Sequence, residues 1–541
     1  MTEPNETPPY KPLPFQPSNA EKTIVQPDPA QQGPPEIPDD EINYDDSGFL
    51  GKGAYGYVYK GTCRNKTVAI KVPKESLPPS KLEQFRQEVQ TMRRIFHPNV
   101  VLFMGANTSG GKIKIITELC STDVEKLLRS KKNLPLKLRL LMAKGAALGM
   151  NWLHGIVKMV HRDLKTANLL VAADGTVKVA DFGFGKVFEA GKTFRGRAKG
   201  TPLWMAPEVM LGKPTDERRD VYSFGIILWE FITGEEPFQQ FSDWHTFKTA
   251  VAVNHVRPEI PAGTLPCLKY LIECCWQPSF TDRPSFAEVI FRLNEAIVDC
   301  AIEDKRGKEF WKKYFLINKQ DLQLEVPWDE FKTALQKEIG LTSVECLDET
   351  TSPDCLKEFL CLAVNIPKLE IILKEEEDAP KRTKYAVTPA DPVAQTKKVT
   401  LETFNFVMQW FGPFITKQDG RQIINMLHNV KHFPWFHGYI SSGVAVERLE
   451  NRDPGTFLVR LSITSPGKPL TLSVMVTSGD RYEISHRRII HKKYGEPYII
   501  RISNKEYSYE TIPQLIEGCR GLLKLTKACD KRAGRLSNYI F

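Results

Sequence analysis

The chain has 541 residues, which is long for one hydrophobic core and suits about two to four domains. Its composition, 41% hydrophobic and 26% charged, is typical of a soluble globular protein. The formal charge of +9 favours anionic partners, but over this length it is too dilute to indicate a nucleic-acid-binding protein. No apolar run reaches the roughly 18 residues of a membrane span, and the first residues resemble neither a signal peptide nor a myristoylation site. The 11 cysteines are scattered, which predicts reduced thiols and a cytoplasmic location.

The first segment, residues 1–42, is predicted to be a disordered tail. It is rich in Pro, Glu, Asp and Gln and poor in apolar side chains, so it cannot bury enough surface to fold. Within it, KPLPFQP at residues 11–17 has the basic-x-x-Pro-x-x-Pro pattern of a ligand that binds as a polyproline helix. A plain solvated tail explains the same stretch, because such patterns often arise by chance.

Order is predicted to begin at residue 43, and GKGAYGYV follows shortly afterwards. Its three glycines, Gly51, Gly53 and Gly56, would let the backbone approach a polyphosphate closely. Strand-like residues, Val58 among them, flank the glycines on both sides, which favours a hairpin flap over a loop that opens a helix.

Two charged side chains follow this hairpin. VAIK ends an apolar strand with Lys71, which would be poorly placed unless it reached phosphate oxygens. The amphipathic helix KLEQFRQEVQTMRRI comes next, with Glu88 beside its apolar face. Glu88 is either a solvated helix charge or the carboxylate that holds Lys71 in position, and the motifs further along the chain favour the second interpretation.

These motifs occur in the order and at the spacing of one enzyme family. They are HRDLKTANLL from His161, DFG from Asp181, APE from Ala206, DVYSFG from Asp220 and DRPSF from Asp282. Together they resemble the catalytic domain of the eukaryotic protein kinases, over residues 43–298. The resemblance implies a bilobal fold, ATP and Mg²⁺ as cofactors, and an ion pair between Glu208 and Arg283.

The resemblance also implies how the nucleotide is held. Lys71 would hold the alpha and beta phosphates under the glycine-rich hairpin, and Glu88 would orient it. Asp181 and Asn168 would hold the magnesium ions. Thr117, in IITELC, stands where the family has its gatekeeper behind the adenine pocket, and Glu118 to Cys120 would supply the hinge backbone.

For the transfer itself, the resemblance assigns Asp163 to accept the proton of the substrate hydroxyl and Lys165 to offset charge on the gamma phosphate. Lys165-Thr166-Ala167 is the serine/threonine form of the catalytic loop. GTPLWMAPE likewise resembles the serine/threonine docking loop, in which Thr201 touches the catalytic loop. HPNVVLFMGA and WMAPEVM are similar to the tyrosine-kinase-like group that includes Raf and mixed-lineage kinases. We therefore expect mainly serine/threonine phosphorylation, with tyrosine as a minor activity.

The segment between Asp181 and Glu208 contains a candidate switch. Its hydroxyl residues are Thr193 and Thr201, and it has no tyrosine. Since the Thr201 side chain is expected to contact the catalytic loop, Thr193 is the candidate phosphosite. A phosphate there could bridge Arg162 and the basic residues around Thr193 and so order the loop. A basic loop that only attracts acidic substrates is the alternative.

A helical block over residues 303–430 follows. Its helices carry aromatic faces, the first with Phe310, Trp311 and Phe315. This block resembles the EF-hand-like module that precedes the phosphotyrosine-binding domain of the Cbl adaptor ligases. A calcium loop would run over residues 391–402, but several ligand positions and the turn glycine are replaced, which favours structural packing over calcium binding.

The last block, residues 435–541, begins with WFHGYIS and contains GTFLVRLS, an apolar strand interrupted by Arg460. A buried guanidinium needs an anion. ISHRRI and YETIPQLI complete a set of motifs that resembles a Src-homology-2 (SH2) domain, with a central antiparallel sheet and two flanking helices. The resemblance implies that Arg460 grips the phosphate of a phosphotyrosine bidentately, in a pocket lined by Ser462, His486 and Arg488.

One position departs from the SH2 pattern. The family has an arginine early in the first helix that also touches the phosphate, and simple alignment places Ser442 there. Arg448 lies a turn or more further along the helix and is an uncertain substitute.

A kinase domain followed by a C-terminal SH2 domain is similar to the amoebal SH2-domain-bearing kinases (the SHK family). The fold class is therefore multidomain α+β. The implied protein is a signalling kinase of the cytoplasm that tyrosine-phosphorylated partners recruit, including partners at the membrane cortex. The competing interpretation is a catalytically inactive scaffold that only binds phosphotyrosine. Recovery of a magnesium-dependent kinase activity would separate the two.

Overall fold

The computed structural model describes residues 12, 36–52, 56–73, 89, 92–93, 95–107, 113–130, 134–181, 186–187, 193, 201–317, 321–340, 357–361, 398–412, 433–461, 470–478, 481–493 and 495–529. These residues divide after Cys300 into two compact units, with Asp321 assigned to the first. In the described part of the chain, no helix combines the length and apolarity needed to cross a membrane.

The first unit opens with a sheet in the order β1-β2-β3-β5-β4, in which all neighbouring strands are antiparallel. Its strands are β1 (Ile42–Lys52), β2 (Gly56–Cys63), β3 (Lys66–Pro73), β4 (Phe103–Asn107) and β5 (Lys114–Glu118). Alternation along β3 explains the placement of the predicted lysine, because successive strand residues face opposite sides. Val68 and Ile70 are fully buried in the core of this lobe, whereas Lys71 faces the other side.

The order of this lobe begins earlier than residue 43, where the sequence placed it. Ile37 is 2% exposed and belongs to the core cluster that contains Ile42 and Ile70. Its backbone N–H donates to Ala106, and its carbonyl accepts from the side chain of Asn107. A single apolar residue in a proline-rich tail has no periodicity, so the sequence pattern could not reveal this contact.

The second lobe of the first unit is mainly helical. Its helices are α1 (Val124–Arg129), α2 (Leu136–Trp152), α3 (Pro207–Met210), α4 (Arg218–Thr233), α5 (Trp244–Lys248), α6 (Pro266–Cys275) and α7 (Phe286–Ala301). Short strands accompany them: β6 (Thr122–Asp123), β7 (Met159–Val160), β8 (Leu169–Val171), β9 (Val177–Val179) and β10 (Lys186–Val187). The loop that connects β7 to β8 contains Asp163 and Lys165, two of the predicted catalytic residues.

Helix α4 is the central helix of this lobe. All its residues from Arg219 to Phe231 are buried, as expected for a helix that is packed on every side. Gly225 permits close contact with α6, since a Cβ there would lie 2.9 Å from the Cβ of Cys275. The helix is thus a fixed support for the loops that it contacts.

The second unit begins with helices and short strands. They are α8 (Lys305–Phe315), β11 (Leu316–Ile317), β12 (Asp321–Leu322, of which Leu322 belongs to this unit), β13 (Glu325–Pro327), α9 (Trp328–Ile339), α10 (Lys357–Leu360), β14 (Lys398–Thr400) and α11 (Leu401–Phe411). Strands β13 and β14 pair antiparallel around Val326 and Val399, and each leads directly into a helix. The aromatic faces predicted from the sequence form the core, which contains Phe310, Trp311, Phe315, Phe331 and Phe404. Most of the predicted calcium loop, residues 391–397, lies outside the described residues.

The rest of the second unit is a sheet in the order β15-β16-β17-β18-β19-β20, flanked by helices. Its elements are β15 (Phe436–Tyr439), α12 (Ser442–Leu449), β16 (Phe457–Leu461), β17 (Leu470–Ser478), β18 (Arg481–Ile490), β19 (Tyr498–Ile502), β20 (Lys505–Tyr509) and α13 (Ile512–Leu523). Strands β15 and β16 are parallel, and the other neighbours are antiparallel. Leu458 packs against α12, so Arg460, two residues further on, lies on the same face of the sheet.

Two side chains of this sheet region cap the end of α11. The last carbonyls of a helix have no partner within it. His491 Nε2 donates to the carbonyl of Gln409 at 3.1 Å, and the Tyr498 hydroxyl donates to the carbonyl of Trp410. The His491 ring stacks on Tyr498 at 4.1 Å between centroids. Helix α11 and the C-terminal sheet therefore stabilise each other within one unit.

Candidate functional site

The side chain of Asp220 of α4 is hydrogen-bonded to the loop between β7 and β8. The carboxylate accepts the backbone N–H of His161 at 2.7 Å and that of Arg162 at 3.0 Å, and His154 Nε2 lies 2.9 Å away. Burial opposes ionisation of Asp220, but the hydrogen bond from His154 and the positive charge nearby, that of Arg219 included, outweigh it, so the pKa of Asp220 lies below the ordinary value. Arg162 has a φ of 73°, a left-handed conformation that these two hydrogen bonds support.

Asp163 is 8% exposed and lies at the centre of a hydrogen-bond network. Its Oδ1 accepts the backbone N–H of Thr201 at 2.8 Å and the Thr201 hydroxyl at 2.9 Å. Its Oδ2 accepts from the side-chain amide of Asn168 at 3.2 Å. The predicted contact between Thr201 and the catalytic loop is therefore present in the structure.

Lys165 and Asn168 both approach Oδ2 of Asp163. Lys165 Nζ is 3.6 Å from Asp163 Oδ2 and donates to the Thr201 hydroxyl at 2.7 Å. The Asn168 amide nitrogen also donates to the backbone carbonyl of Asp163 at 2.7 Å. Its amide oxygen takes no part in these hydrogen bonds. The structure thus brings a carboxylate, an ammonium group and an amide to one point.

Asp181 and Lys71 form an ion pair that joins the two lobes of the first unit. Lys71 Nζ lies 3.0 Å from Asp181 Oδ1. The charge of Lys71 is the main cause that holds the pKa of Asp181 below its ordinary value. An ionised carboxylate together with the Asn168 amide oxygen is an oxygen donor set of the kind that suits a hard divalent cation. Glu88, the predicted partner of Lys71, lies outside the described residues.

The predicted nucleotide-binding residues lie on neighbouring strands. Gly51 of β1 pairs with Val58 of β2, and Val58 pairs with Lys71 of β3. Thr117 of β5 pairs with Ala69 of β3. Gly56 begins β2, whereas Gly53 lies outside the described residues. The predicted hinge, Glu118 to Cys120, begins at the last residue of β5.

That hinge is fixed by Glu118. Its backbone N–H donates to the carbonyl of Leu102, and its carboxylate accepts the backbone N–H of Leu102 at 2.7 Å. Lys178 Nζ lies 2.8 Å from the same carboxylate. Burial raises the pKa of Cys120 to about 12, so its thiol is protonated at neutral pH. The contacts of Glu118 therefore fix the hinge backbone. Cys120 is not a reactive thiolate.

The predicted pair in the helical lobe is formed. Arg283 NH1 donates to Glu208 Oε1 at 2.9 Å, and NH2 donates to Oε2 at 2.8 Å. Both side chains are buried, with Arg283 2% and Glu208 7% exposed. This bidentate pair anchors the end of the segment that contains Thr201.

Glu230 of α4, which belongs to none of the motifs described above, has a fully buried carboxylate that contacts the catalytic loop. It accepts from the hydroxyl of Thr166 and from the indole of Trp204. The signal that could have found it is a lone acidic residue within the apolar stretch IILWEFI.

Three basic side chains of the C-terminal sheet lie close together, as the sequence predicted. Arg460 is 3% exposed and donates to the carbonyl of Ile440 at 3.1 Å. It pairs in register with Thr471, whose hydroxyl accepts from Arg488 at 2.8 Å. Burial and the charges of Arg460 and Arg488 lower the pKa of His486, so its ring is neutral at pH 7. The charges of Arg460 and Arg488 are therefore close together, as the predicted anion site requires. Ser462, also predicted to line it, lies outside the described residues.

Arg448, the other arginine considered for the phosphate, has a different partner in the structure. Arg448 of α12 donates to His437 Nδ1 at 2.8 Å, and His437 Nε2 donates to the carbonyl of Cys529 at 2.9 Å. Ser442 is the first residue of α12. One nitrogen of the Arg448 guanidinium is thus hydrogen-bonded to His437.

Thr193, the candidate phosphosite, is exposed. Its neighbours in sequence lie outside the described residues, so no partner of Thr193 can be assigned within the described part of the chain.

Comparison with known proteins identifies two domains in this chain. A family model described as protein tyrosine and serine/threonine kinase matches residues 46–293, and an SH2 domain model matches residues 435–518. Among curated relatives, the dual specificity protein kinase shkC of Dictyostelium discoideum is 41% identical over 85% of this chain and 86% of its own length. The dual specificity kinase shkA of the same organism is 38% identical over 92% of this chain and 90% of its own length.

A third relative is longer than this chain. The dual specificity protein kinase shkD of Dictyostelium discoideum is 43% identical over 94% of this chain, which spans 64% of the length of shkD. The predicted order of a kinase domain and a C-terminal SH2 domain is confirmed, and so is the α+β fold class. The chain therefore belongs to the family of SH2-domain-bearing dual specificity protein kinases.

Proposed function

We propose that this chain transfers the gamma phosphate of ATP to serine and threonine hydroxyls of proteins, with tyrosine as a minor acceptor and Mg²⁺ as the metal. The observation that carries the proposal is the position of Asp163. Its carboxylate is held between Thr201, Asn168 and Lys165, and Lys71 and Asp181 form their ion pair in the same lobe interface. Membership of the kinase family supports ATP and a divalent metal as cofactors.

In this proposal, Asp163 accepts the proton of the substrate hydroxyl as the hydroxyl oxygen forms its bond to phosphorus. Lys165 sits beside that carboxylate and offsets negative charge on the transferred group. Asn168 and Asp181 would hold Mg²⁺, and Lys71 would bind the nucleotide phosphates. Magnesium ATP supplies the phosphoryl group, and the protein contributes position and positive charge to a transition state that needs little covalent help.

The acceptor preference rests on the catalytic loop and the segment that faces it. Lys165-Thr166-Ala167 is the serine/threonine form, and Lys165 donates to the Thr201 hydroxyl at 2.7 Å. The relatives shkC and shkA are named dual specificity kinases, which supports a minor tyrosine activity.

The second part of the proposal is that the SH2 domain binds phosphotyrosine and brings the kinase to tyrosine-phosphorylated partners. Arg460 of β16 is buried, Thr471 of β17 lies in register between it and Arg488 of β18, and His486 lies two residues from Arg488 along β18. A planar guanidinium can bind two phosphate oxygens at once. Phosphotyrosine is long enough to reach a buried arginine, whereas phosphoserine is not. Arg488 is a better candidate than Arg448 for the second arginine on the phosphate, because it lies in register with Arg460 through Thr471.

The remaining parts concern regulation and location. Phosphorylation of Thr193 would raise activity by ordering the basic loop around it. The helical block would act as an EF-hand-like structural support for the SH2 domain, which the capping of α11 by His491 and Tyr498 favours. The tail at residues 11–17 would be available to a polyproline-binding partner, and the chain would work in the cytoplasm.

The experiment that tests the proposal is a phosphotransfer assay with purified full chain, labelled ATP and either Mg²⁺ or a chelator. Phosphoamino acid analysis of the product gives the acceptor class. Mainly phosphoserine and phosphothreonine, formed only with the metal, support the proposal. A purified chain that binds phosphotyrosine peptides but transfers no phosphate would instead be the inactive scaffold.

A further inference from the structure

A row of aromatic side chains runs along strands β1 and β2, on the side of the sheet opposite Lys71. Its members, which we call the aromatic face, are Tyr44, Phe49, Tyr57 and Tyr59. Tyr59 pairs in register with Ile70, a member of the core cluster, and successive strand residues face opposite sides, which places the row on the core-cluster side. Neighbouring ring centroids along the row lie 5.1, 5.7 and 6.3 Å apart. The rings therefore form one continuous surface.

The aromatic face is only partly covered by the rest of the lobe. Phe49 is 51% exposed, and the other three side chains are partly buried. Single exposed apolar side chains are ordinary on a protein surface, but a contiguous row with polar residues around it is typical of a binding site. Aromatic surfaces of this kind bind proline-rich segments, because the polyproline helix is already formed and loses little entropy on binding.

The segment that leads into β1 already contacts this side of the sheet. Glu36 forms a bridge with Ala106 of the edge strand β4. Ile37 is buried in the core cluster against which Tyr44 packs. Residues 36–42 therefore lead from β4 to β1 next to the aromatic face, and the chain before Glu36 starts from the same side of the sheet.

Acidic side chains lie at the edge of the aromatic face. The register between β1 and β2 shifts within this row and leaves a bulge in β1. Asp45 and Asp46 of the bulge are exposed. Burial and the charge of Asp46 raise the pKa of the Tyr59 hydroxyl, which places Asp46 beside the row. At the other end, Lys52 Nζ lies 6.0 Å from the centroid of the Tyr57 ring. The bulge end of the face is thus suited to a cation.

We propose that the aromatic face binds residues 11–17 of the same chain, KPLPFQP, as a polyproline helix. Pro14 and Pro17 would pack on the rings, and Lys11 would lie against the acidic bulge. Pro12, the one residue of this stretch that the structure describes, is exposed. The chain itself is then the partner of residues 11–17, and the docking does not depend on kinase activity.

The length of chain between the two fits this docking. Residues 18–35 separate the stretch from Glu36. A random chain of this length has a root-mean-square span of about 23 Å. The distance from β4 to β1 across the sheet is about 19 Å at the usual strand spacing. Because the two lengths match, the effective concentration of the stretch at the face is about 1 mM, and a dissociation constant of about 0.1 mM would keep roughly nine-tenths of the chains docked.

The test is hydroxyl-radical footprinting of the full chain, in which mass spectrometry measures the oxidation rate of each aromatic side chain. The variant Pro14→Ala/Pro17→Ala removes the two prolines of the motif. Pro27→Ala/Pro29→Ala is the matched control, because it removes two prolines of the same tail outside the motif. Phe96, which is 77% exposed and lies outside β1 and β2, is the internal reference.

We expect the oxidation of Phe49 and Tyr57 to rise at least about twofold in the motif variant, because docking shields their rings, and to stay unchanged in the control. Lys11→Glu should give part of this rise, since it places two like charges together. Adding Asp45→Lys and Asp46→Lys should reverse that effect. Protection in the wild type should persist on about a hundredfold dilution, because a tethered segment binds within its own chain.

Three results would overturn the inference. The first is equal oxidation of the aromatic face in wild type and motif variant, and the second is an equal rise in the control variant. The third is loss of protection on dilution, which would mean that a second copy supplies the segment. An inactive wild-type chain would overturn the proposed kinase function and leave this docking unaffected.

Discussion

Replacement of Arg283 by Gln should strongly destabilise the kinase domain. Arg283 makes two parallel hydrogen bonds with Glu208, at 2.9 and 2.8 Å, and its remaining donors bond to the backbone carbonyls of Gln277, Arg218 and Pro278. Glutamine cannot replace the positive charge, so Glu208 would remain buried without its bidentate partner and would keep the hydrogen bond from the Thr215 hydroxyl. Removal of one partner of a buried ion pair costs about 3 to 5 kcal/mol. For a domain of this size, that corresponds to a fall in melting temperature of about 6 to 20 °C.

The assay is thermal unfolding of the full chain, followed through the kinase-domain transition. Arg218→Gln is the control, because this neighbouring arginine is partly exposed and donates from NH1 to the carbonyl of Thr281. It should change stability by less than about 1 kcal/mol. The double variant Glu208→Gln/Arg283→Gln should recover part of the loss, since it leaves no unpaired buried charge. A loss below about 1 kcal/mol in Arg283→Gln, or a double variant no more stable than the single one, would refute the reasoning.

Three further predictions concern other sites. Arg460→Lys keeps the charge but loses the planar guanidinium, so the affinity for phosphotyrosine peptides should fall by about 2 to 3 kcal/mol, roughly 30- to 150-fold. Equal binding by wild type and variant in titration calorimetry would rule out the predicted pocket. Thr193→Ala should lower activity, and mass spectrometry of active wild type should find phosphate at Thr193; full activity in the variant contradicts this. The pKa of Glu230 is raised from 4.5 to about 7, so its contribution to stability is fully present below pH 4.5 and is lost as the pH rises through 7. Glu230→Gln should therefore flatten the pH dependence of unfolding between these values, by up to about 3 kcal/mol, and an unchanged slope would contradict the shift.

The sequence could predict those parts of the sites whose residues are close together in the chain. Asp163, Lys165 and Asn168 lie within six residues of each other, and the loop that contains them has little room to vary. Arg460 could be predicted as a binding residue because a charged side chain within an apolar strand needs a partner of opposite charge. Residues so close in the chain must also lie close together in the folded protein.

Contacts between distant segments could not be predicted in the same way. Glu230 is bound by residues that lie 26, 64 and 101 positions away in the chain. The capping of α11 by His491 and Tyr498 joins residues more than 80 positions apart. Ile37 is isolated in a proline-rich stretch, and Arg448 is turned to His437, a partner that no helical periodicity specifies. Each of these depends on the packing of complete elements.

The most direct test of the kinase account compares wild type with Asp163→Asn in the phosphotransfer assay, alongside a separate measurement of ATP affinity. Asparagine keeps the size of the side chain and can still accept from Thr201, but it cannot take up the substrate proton. We predict a loss of at least about a hundredfold in turnover, the usual scale for removal of a general base, with ATP affinity unchanged. Turnover equal to that of wild type, or an inactive wild type, would contradict the account.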